Sequence, residues 1–82
     1  MTEDEIFHQL RALCAEILAV DPSAITPDTD LRDELEADSL DMVELAVASG
    51  DRFDLRVDFD LATHVRTLAD VTTLVRAGVR AG

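Results

Sequence analysis

Apolar residues at Ile6, Leu10, Leu13, Ile17 and Val20 recur at spacings of three and four, the period of one helical face. Thr2 and Glu5 precede them as a capping box, in which each side chain satisfies the other residue's backbone N–H. Asp21-Pro22 closes the run, because a residue before proline is pushed out of the α region. These signals predict a first helix over about residues 3–20. A second helix is predicted to start after Asp38, a good N-cap, with Asp41 placing negative charge at the positive end of the helix dipole. Along it Leu40, Val43 and Val47 form one stripe, and Met42, Leu45, Ala46 and Ser49 the neighbouring one. Gly50 weakens this helix, so its span is about 39–50, with the end between Ser49 and Phe53. A last helix, about 68–77, follows the cap pair Thr67 and Asp70, turns Leu68, Val71, Leu74 and Val75 inward and stops at Gly78.

The segments between these helices have a different texture. Residues 21–37 hold two prolines and three isolated aliphatics, Ile25, Leu31 and Leu35, which predicts a long loop pinned across the helices. Asp54 to Asp58 alternates like a strand but has no partner elsewhere, so it reads as an extended segment leading to a short helix over about 60–64. With no internal repeat and no shift in composition, residues 1–82 form one domain. The expected fold is all-α: a small bundle of three main helices plus one short helix, with a long loop between the first two.

Charge changes the picture. Eighteen acidic residues face seven basic ones, all arginine, for a formal net charge of −11, yet 48% of the chain is hydrophobic, enough to fold. Such a chain repels phosphate backbones and anionic lipid, and without Trp or Tyr it has little to stack on bases, so neither nucleic acid nor membrane is expected as a partner. A single cysteine, Cys14, rules out an internal disulfide and reads as a small buried hydrophobe. No apolar run is long enough to span a bilayer, and the acidic start Thr2 to Glu5 is unlike a signal peptide; a cytoplasmic monomer is expected.

Most templates for chemistry fail. His8 and His64 lack further ligands at metal spacing and are expected on the surface. A Ca²⁺ loop beginning at Asp28 would need Gly and Glu where Asp33 and Ser39 stand, and no phosphate-binding glycine motif or nucleophile elbow is present. Nothing builds a catalytic centre, so no enzyme is expected. Ser39 remains. A serine in the first turn of a helix is often only a cap, but this one ends a long loop, lies between Asp38 and Asp41, and leads into an aliphatic stripe.

At that point the run Asp38-Ser39-Leu40-Asp41-Met42-Val43-Glu44-Leu45 resembles the attachment motif of acyl carrier proteins. The likeness extends to Ile25 through Leu31, to Asp33-Glu34-Leu35, to Phe53 through Val57, and to Thr67 through Val71. It implies that Ser39 carries 4′-phosphopantetheine, donated from coenzyme A by a phosphopantetheinyl transferase, and that acyl groups ride on the arm as thioesters. It further implies docking of acyltransferase, ketosynthase or acyl- and aminoacyl-loading enzymes, through basic patches, onto Asp38, Leu40, Asp41, Val43, Glu44, Val47 and Glu36. Fatty-acid-like or polyketide assembly is the expected setting. An aminoacyl or peptidyl carrier, or an acidic interaction module in which Ser39 merely caps, are the alternatives. Two positions depart from the family's pattern. Glu36 stands where the family commonly has Gly, and Ser49-Gly50 replaces a large aliphatic near the end of helix two, which predicts a shorter or looser helix and a specialised pathway. The charge is also uneven: residues 28–60 carry a net −9 and the remainder −2, so the acids surround Ser39.

Overall fold

The computed structural model describes residues 2–56 and 64–81, with side chains described as far as Gly78. The described residues hold three α-helices: α1 Glu3–Leu18, α2 Ser39–Phe53 and α3 Leu68–Ala81. The only β-type pairing described is the isolated bridge between Asp30 and Thr67. The expected short helix over 60–64 lies outside the described residues apart from His64, which is in a turn.

α1 begins with the capping box, Glu5 N–H donating to Thr2 Oγ1 at 3.2 Å and Thr2 N–H to Glu5 Oε1 at 3.4 Å. Its fully buried line is Ile6, Leu10 and Cys14 with Ala15, while Leu13, Ile17 and Val20 are half-buried against the core. The buried stripe thus advances by fours through Cys14, beside the line read from the aliphatics alone. α1 also ends earlier than Asp21-Pro22 would dictate. Ala19 turns left-handed at φ 56°, and the N–H groups of Ala19 and Val20 both return to the Ala15 carbonyl. Asp21 then caps a 3₁₀ turn, Pro22–Ala24, accepting from Ser23 N–H at 2.8 Å.

The long loop is pinned as its aliphatics suggest. Ile25 and Leu31 are buried in the core and Leu35 packs against it. Backbone bonds tie the loop to the start of α3: Leu31 N–H donates to the Arg66 carbonyl at 2.7 Å, and Ala69 N–H to Pro27 at 3.0 Å. α1 packs along both α2 and α3, so it is the spine of the bundle.

Of the readings around glycine, the end of α2 falls at the far limit of its expected range, while the looser helix expected from Ser49 and the stop expected at Gly78 need correction. α2 does not stop at Gly50 but runs to Phe53, where Asp54 takes φ 51° and both Asp54 and Leu55 N–H groups close onto the Gly50 carbonyl. Ser49 does not loosen it either. That side chain is buried and its hydroxyl donates to the Leu45 carbonyl at 2.7 Å, which satisfies it inside the core. Gly78 is no stop, since α3 continues to Ala81. A Cβ at Gly78 would lie 3.1 Å from Leu55 Cδ2, so glycine here lets the segment after α2 lie close against α3. Thr67 and Asp70 cap α3 reciprocally, and donation from Arg66 and Thr67 N–H groups holds the Asp70 carboxyl below the usual range.

Candidate functional site

Asp38 is the residue that caps α2. Its Oδ1 accepts from Asp41 N–H at 2.8 Å, while Asp38 N–H donates to Asp41 Oδ2 at 3.1 Å, so the two carboxylates lock each other's backbone groups. Ser39 is therefore free of that task. It is the first residue of the helix, its side chain is exposed, and its hydroxyl has no hydrogen-bond partner among the described residues. A serine that merely caps would have its oxygen on an N–H of the first turn; here Asp38 does that work.

Beyond Ser39 the two stripes of α2 separate cleanly. Met42, Leu45, Ala46 and Ser49 are buried, whereas Leu40, Val43 and Val47 are 64, 37 and 48% exposed. They are the large hydrophobic side chains left exposed among the described residues, and they lie on one face at helical spacing. Exposed Glu36 and Glu44 and half-exposed Asp41 flank them. Each residue named from the sequence as a site candidate, Glu36, Asp38, Ser39, Leu40, Asp41, Val43, Glu44 and Val47, is exposed or half-exposed.

The loop that delivers Ser39 turns at Glu36, whose φ of 58° lies in the left-handed region. This is the position where glycine would be at ease, and a glutamate there is strained. The turn is secured on its near side by Ala37, which is buried and donates its N–H to the Leu31 carbonyl at 3.0 Å. Further back, Asp30 Oδ1 accepts from the N–H groups of Arg32 and Asp33 at 3.0 and 2.9 Å. Asp30 Oδ2 meets Arg66 Nε at 2.9 Å, and Asp33 meets the same guanidinium at 2.8 Å. These donors, the Asp33 N–H first among them, hold the Asp30 carboxyl below the usual range. Arg66 escaped the reading of the sequence because its partners lie 33 and 36 residues away, outside any local pattern.

Other candidates resolve simply. The seam between α1, the loop and the start of α2 is lined by Cys14, Ile17, Leu18, Leu31, Ala37, Asp41, Met42 and Leu45 and leaves no room for a water molecule. Within it burial pushes the Cys14 thiol up to about 11, which makes it inert, as expected of a small core residue. His8 is exposed beside Arg11 and Phe7, and His64 is exposed as well. Among the described residues no group of His, Cys, Asp or Glu could hold a metal ion, and no helix is long and apolar enough to cross a membrane.

Comparison with known proteins agrees with this geometry. The profile of the family described as "Phosphopantetheine attachment site" matches residues 8–75. The chain is 38% identical over 77 residues to the meromycolate extension acyl carrier protein of Mycobacterium leprae, covering 93% of this chain and 66% of that one. It is 32% identical to an acyl carrier protein of Lactobacillus acidophilus, covering 94 and 96% of the two chains. It is 33% identical to an acyl carrier protein of Thermosynechococcus vestitus, covering 99 and 100%. Family profile and full-length relatives coincide on one conclusion: the chain belongs to the acyl carrier proteins, noncatalytic carriers of covalently attached 4′-phosphopantetheine.

Proposed function

We propose that Ser39 is the attachment residue and that the face Leu40–Val43–Val47, with Glu36, Asp38, Asp41 and Glu44 around it, is where partner enzymes grip the carrier. The observation behind this is the free, exposed Ser39 hydroxyl at the first position of α2, beside a cap supplied wholly by Asp38. The residues present suit the group. A phosphodiester at Ser39 would meet the positive end of the helix dipole and the first-turn N–H groups that an α-helix leaves unpaired. The Asp38 and Asp41 carboxylates keep their charge and oppose it, while each is held in place by a backbone N–H.

The chain is a carrier, not an enzyme, and serves fatty-acid-like biosynthesis. When bound, the arm supplies a terminal thiol on which acyl groups are held as thioesters. The protein's own part is to present Ser39, to shelter α2 from fraying and to be recognised. Its family is modified by phosphopantetheinyl transferases and works with other biosynthetic enzymes. Acyltransferases and ketosynthases with basic docking patches are the partners we infer here. An exposed aliphatic stripe rimmed by acids suits brief visits, because charge speeds encounter while a small apolar contact limits residence.

The test is chemical. Incubation with coenzyme A, Mg²⁺ and a broad-specificity phosphopantetheinyl transferase should raise the intact mass by one phosphopantetheinyl group, and Ser39→Ala should gain none. Loading of the alanine variant, or no loading of the wild type, overturns the assignment.

A further inference from the structure

Arg66 lies ahead of α3, outside the docking face, yet it is tied to the loop that ends at Ser39 by three contacts. Its Nε and Nη2 reach the carboxylates of Asp30 and Asp33 at 2.9 and 2.8 Å, and its carbonyl accepts from Leu31 N–H at 2.7 Å. From there the connection to the serine is unbroken. Asp30 organises the turn, its N–H donating to Glu34 Oε2 and its carboxylate accepting from Arg32 and Asp33 N–H groups. The Leu31 carbonyl takes the Ala37 N–H, and Ala37 is followed directly by Asp38, the cap of α2.

Two further features make this tie consequential. Asp30, Asp33, Glu34, Glu36 and Asp38 are five acids within nine residues that hold one arginine, Arg32, so the stretch carries a net −4 and its acids repel one another. At the end of the same loop Glu36 holds φ 58°, and a non-glycine residue keeps such a conformation only where its surroundings over-determine it. The Arg66 fork is the described cation that joins two of those acids. Its guanidinium is more than half exposed, so the pairs add little to global stability, but they act directly on the loop that leads to Ser39.

We propose that Arg66 is a positioning residue for the loading of Ser39: its fork across Asp30 and Asp33 holds the loop that sets the serine at the head of α2. The inference rests on the assignment of Ser39 made above. Arg76, which pairs with Glu3 at 3.2 Å elsewhere on α3, supplies the matched control, since Arg76→Ala removes the same charge and the same kind of contact.

The experiment compares the apo chain with Arg66→Ala, Arg66→Lys, Arg76→Ala, Glu36→Gly and Glu36→Gly/Arg66→Ala. Readouts are kcat/KM for loading, melting temperature, and amide exchange at Leu31 and Ala37. Arg66→Ala should load about fivefold more slowly than Arg76→Ala at similar melting temperature, and exchange at Ala37 should quicken by a similar factor. Lysine, which cannot fork across two carboxylates, should restore only part. On a Glu36→Gly background, where the turn holds its shape unaided, Arg66→Ala should slow loading by less than it does in the wild type, whatever Glu36 itself contributes to docking. Should Arg66→Ala fail to fold, Arg66→Lys against Arg76→Lys carries the same comparison. Equal loading by the Arg66 and Arg76 variants, unchanged exchange at Ala37, or an equal effect of Arg66→Ala with and without glycine at 36 overturns the proposal. Failure of the wild type to load would instead overturn the Ser39 assignment, and the proposal with it.

Discussion

Replacing Glu36 with glycine should stabilise the fold. At φ 58° an L-residue bears a steric cost of about 1–2 kcal/mol that glycine avoids. Glycine in turn is freer in the unfolded chain, which takes back about 0.5–1 kcal/mol. The difference leaves a net gain of about 0.5–1 kcal/mol, equivalent to a rise in Tm of about 2–8 °C for a domain of this size. Glu36 is exposed, so no packing is lost. Its charge is a confounder, because removing one acid from a stretch of net −9 also relieves repulsion. Glu36→Gln separates the two effects: it removes the charge and keeps the strained backbone. Ala19→Gly offers a second check, since Ala19 holds φ 56° at the end of α1 and has no charge to lose. Thermal and urea unfolding followed by far-UV circular dichroism would measure all three. The reasoning fails if Glu36→Gly gains nothing, or if Glu36→Gln reproduces its whole gain while Ala19→Gly has no effect.

Three further outcomes are expected. Cys14 holds its proton up to about pH 11 when folded but loses it near its ordinary value of 9.0 when unfolded, so stability should decline as pH rises from about 9 to 11, and Cys14→Ala should flatten that decline. At pH 8 the native thiol should accordingly resist iodoacetamide, with thiolate at about one part in a thousand, and react once urea unfolds the chain. Leu40→Ala should alter stability by less than about 0.5 kcal/mol, as the side chain is exposed, yet lower kcat/KM for loading at least about fivefold if Leu40 anchors the transferase; equal loading would remove it from the docking face. Finally, Tm should rise from low to moderate salt as the net charge of −11 is screened, and a flat response would show that the acids do not strain the fold.

The helices were legible because apolar spacing and capping pairs are local signals, and Thr2 with Glu5 and Thr67 with Asp70 behave as their spacing suggests. Their ends were less so. α1 leaves the helix at Ala19 and α2 at Asp54, both left-handed without glycine, and nothing in an alanine or an aspartate announces that turn. Glycine misled in the opposite direction at Gly78, which sits inside a helix where a Cβ would lie tight against Leu55. At the site, the motif around Ser39 and the division of α2 into two stripes could be read directly. The Arg66 tie could not, since its contacts close only when the loop folds back onto α3.

The acids around Ser39 divide by what already holds them. Asp38 and Asp41 are spent on each other's N–H groups, Asp30 on its own turn and on Arg66, and Glu34 on the Asp30 N–H. Their charge persists, but their lone pairs are partly engaged, so a partner's arginine would have to share them with groups already in place. Glu36 and Glu44 are exposed and make no side-chain bond within the described residues, which leaves them the acids on this face most available for direct ion pairing. Glu36 is also the strained position. A glutamate in place of glycine there costs the fold about the same free energy that one exposed ion pair contributes to an interface, roughly 1 kcal/mol. If Glu36 takes part in docking as proposed, the departure at this position exchanges stability for recognition. On that account Glu36→Gly should leave a carrier that melts higher and docks more weakly.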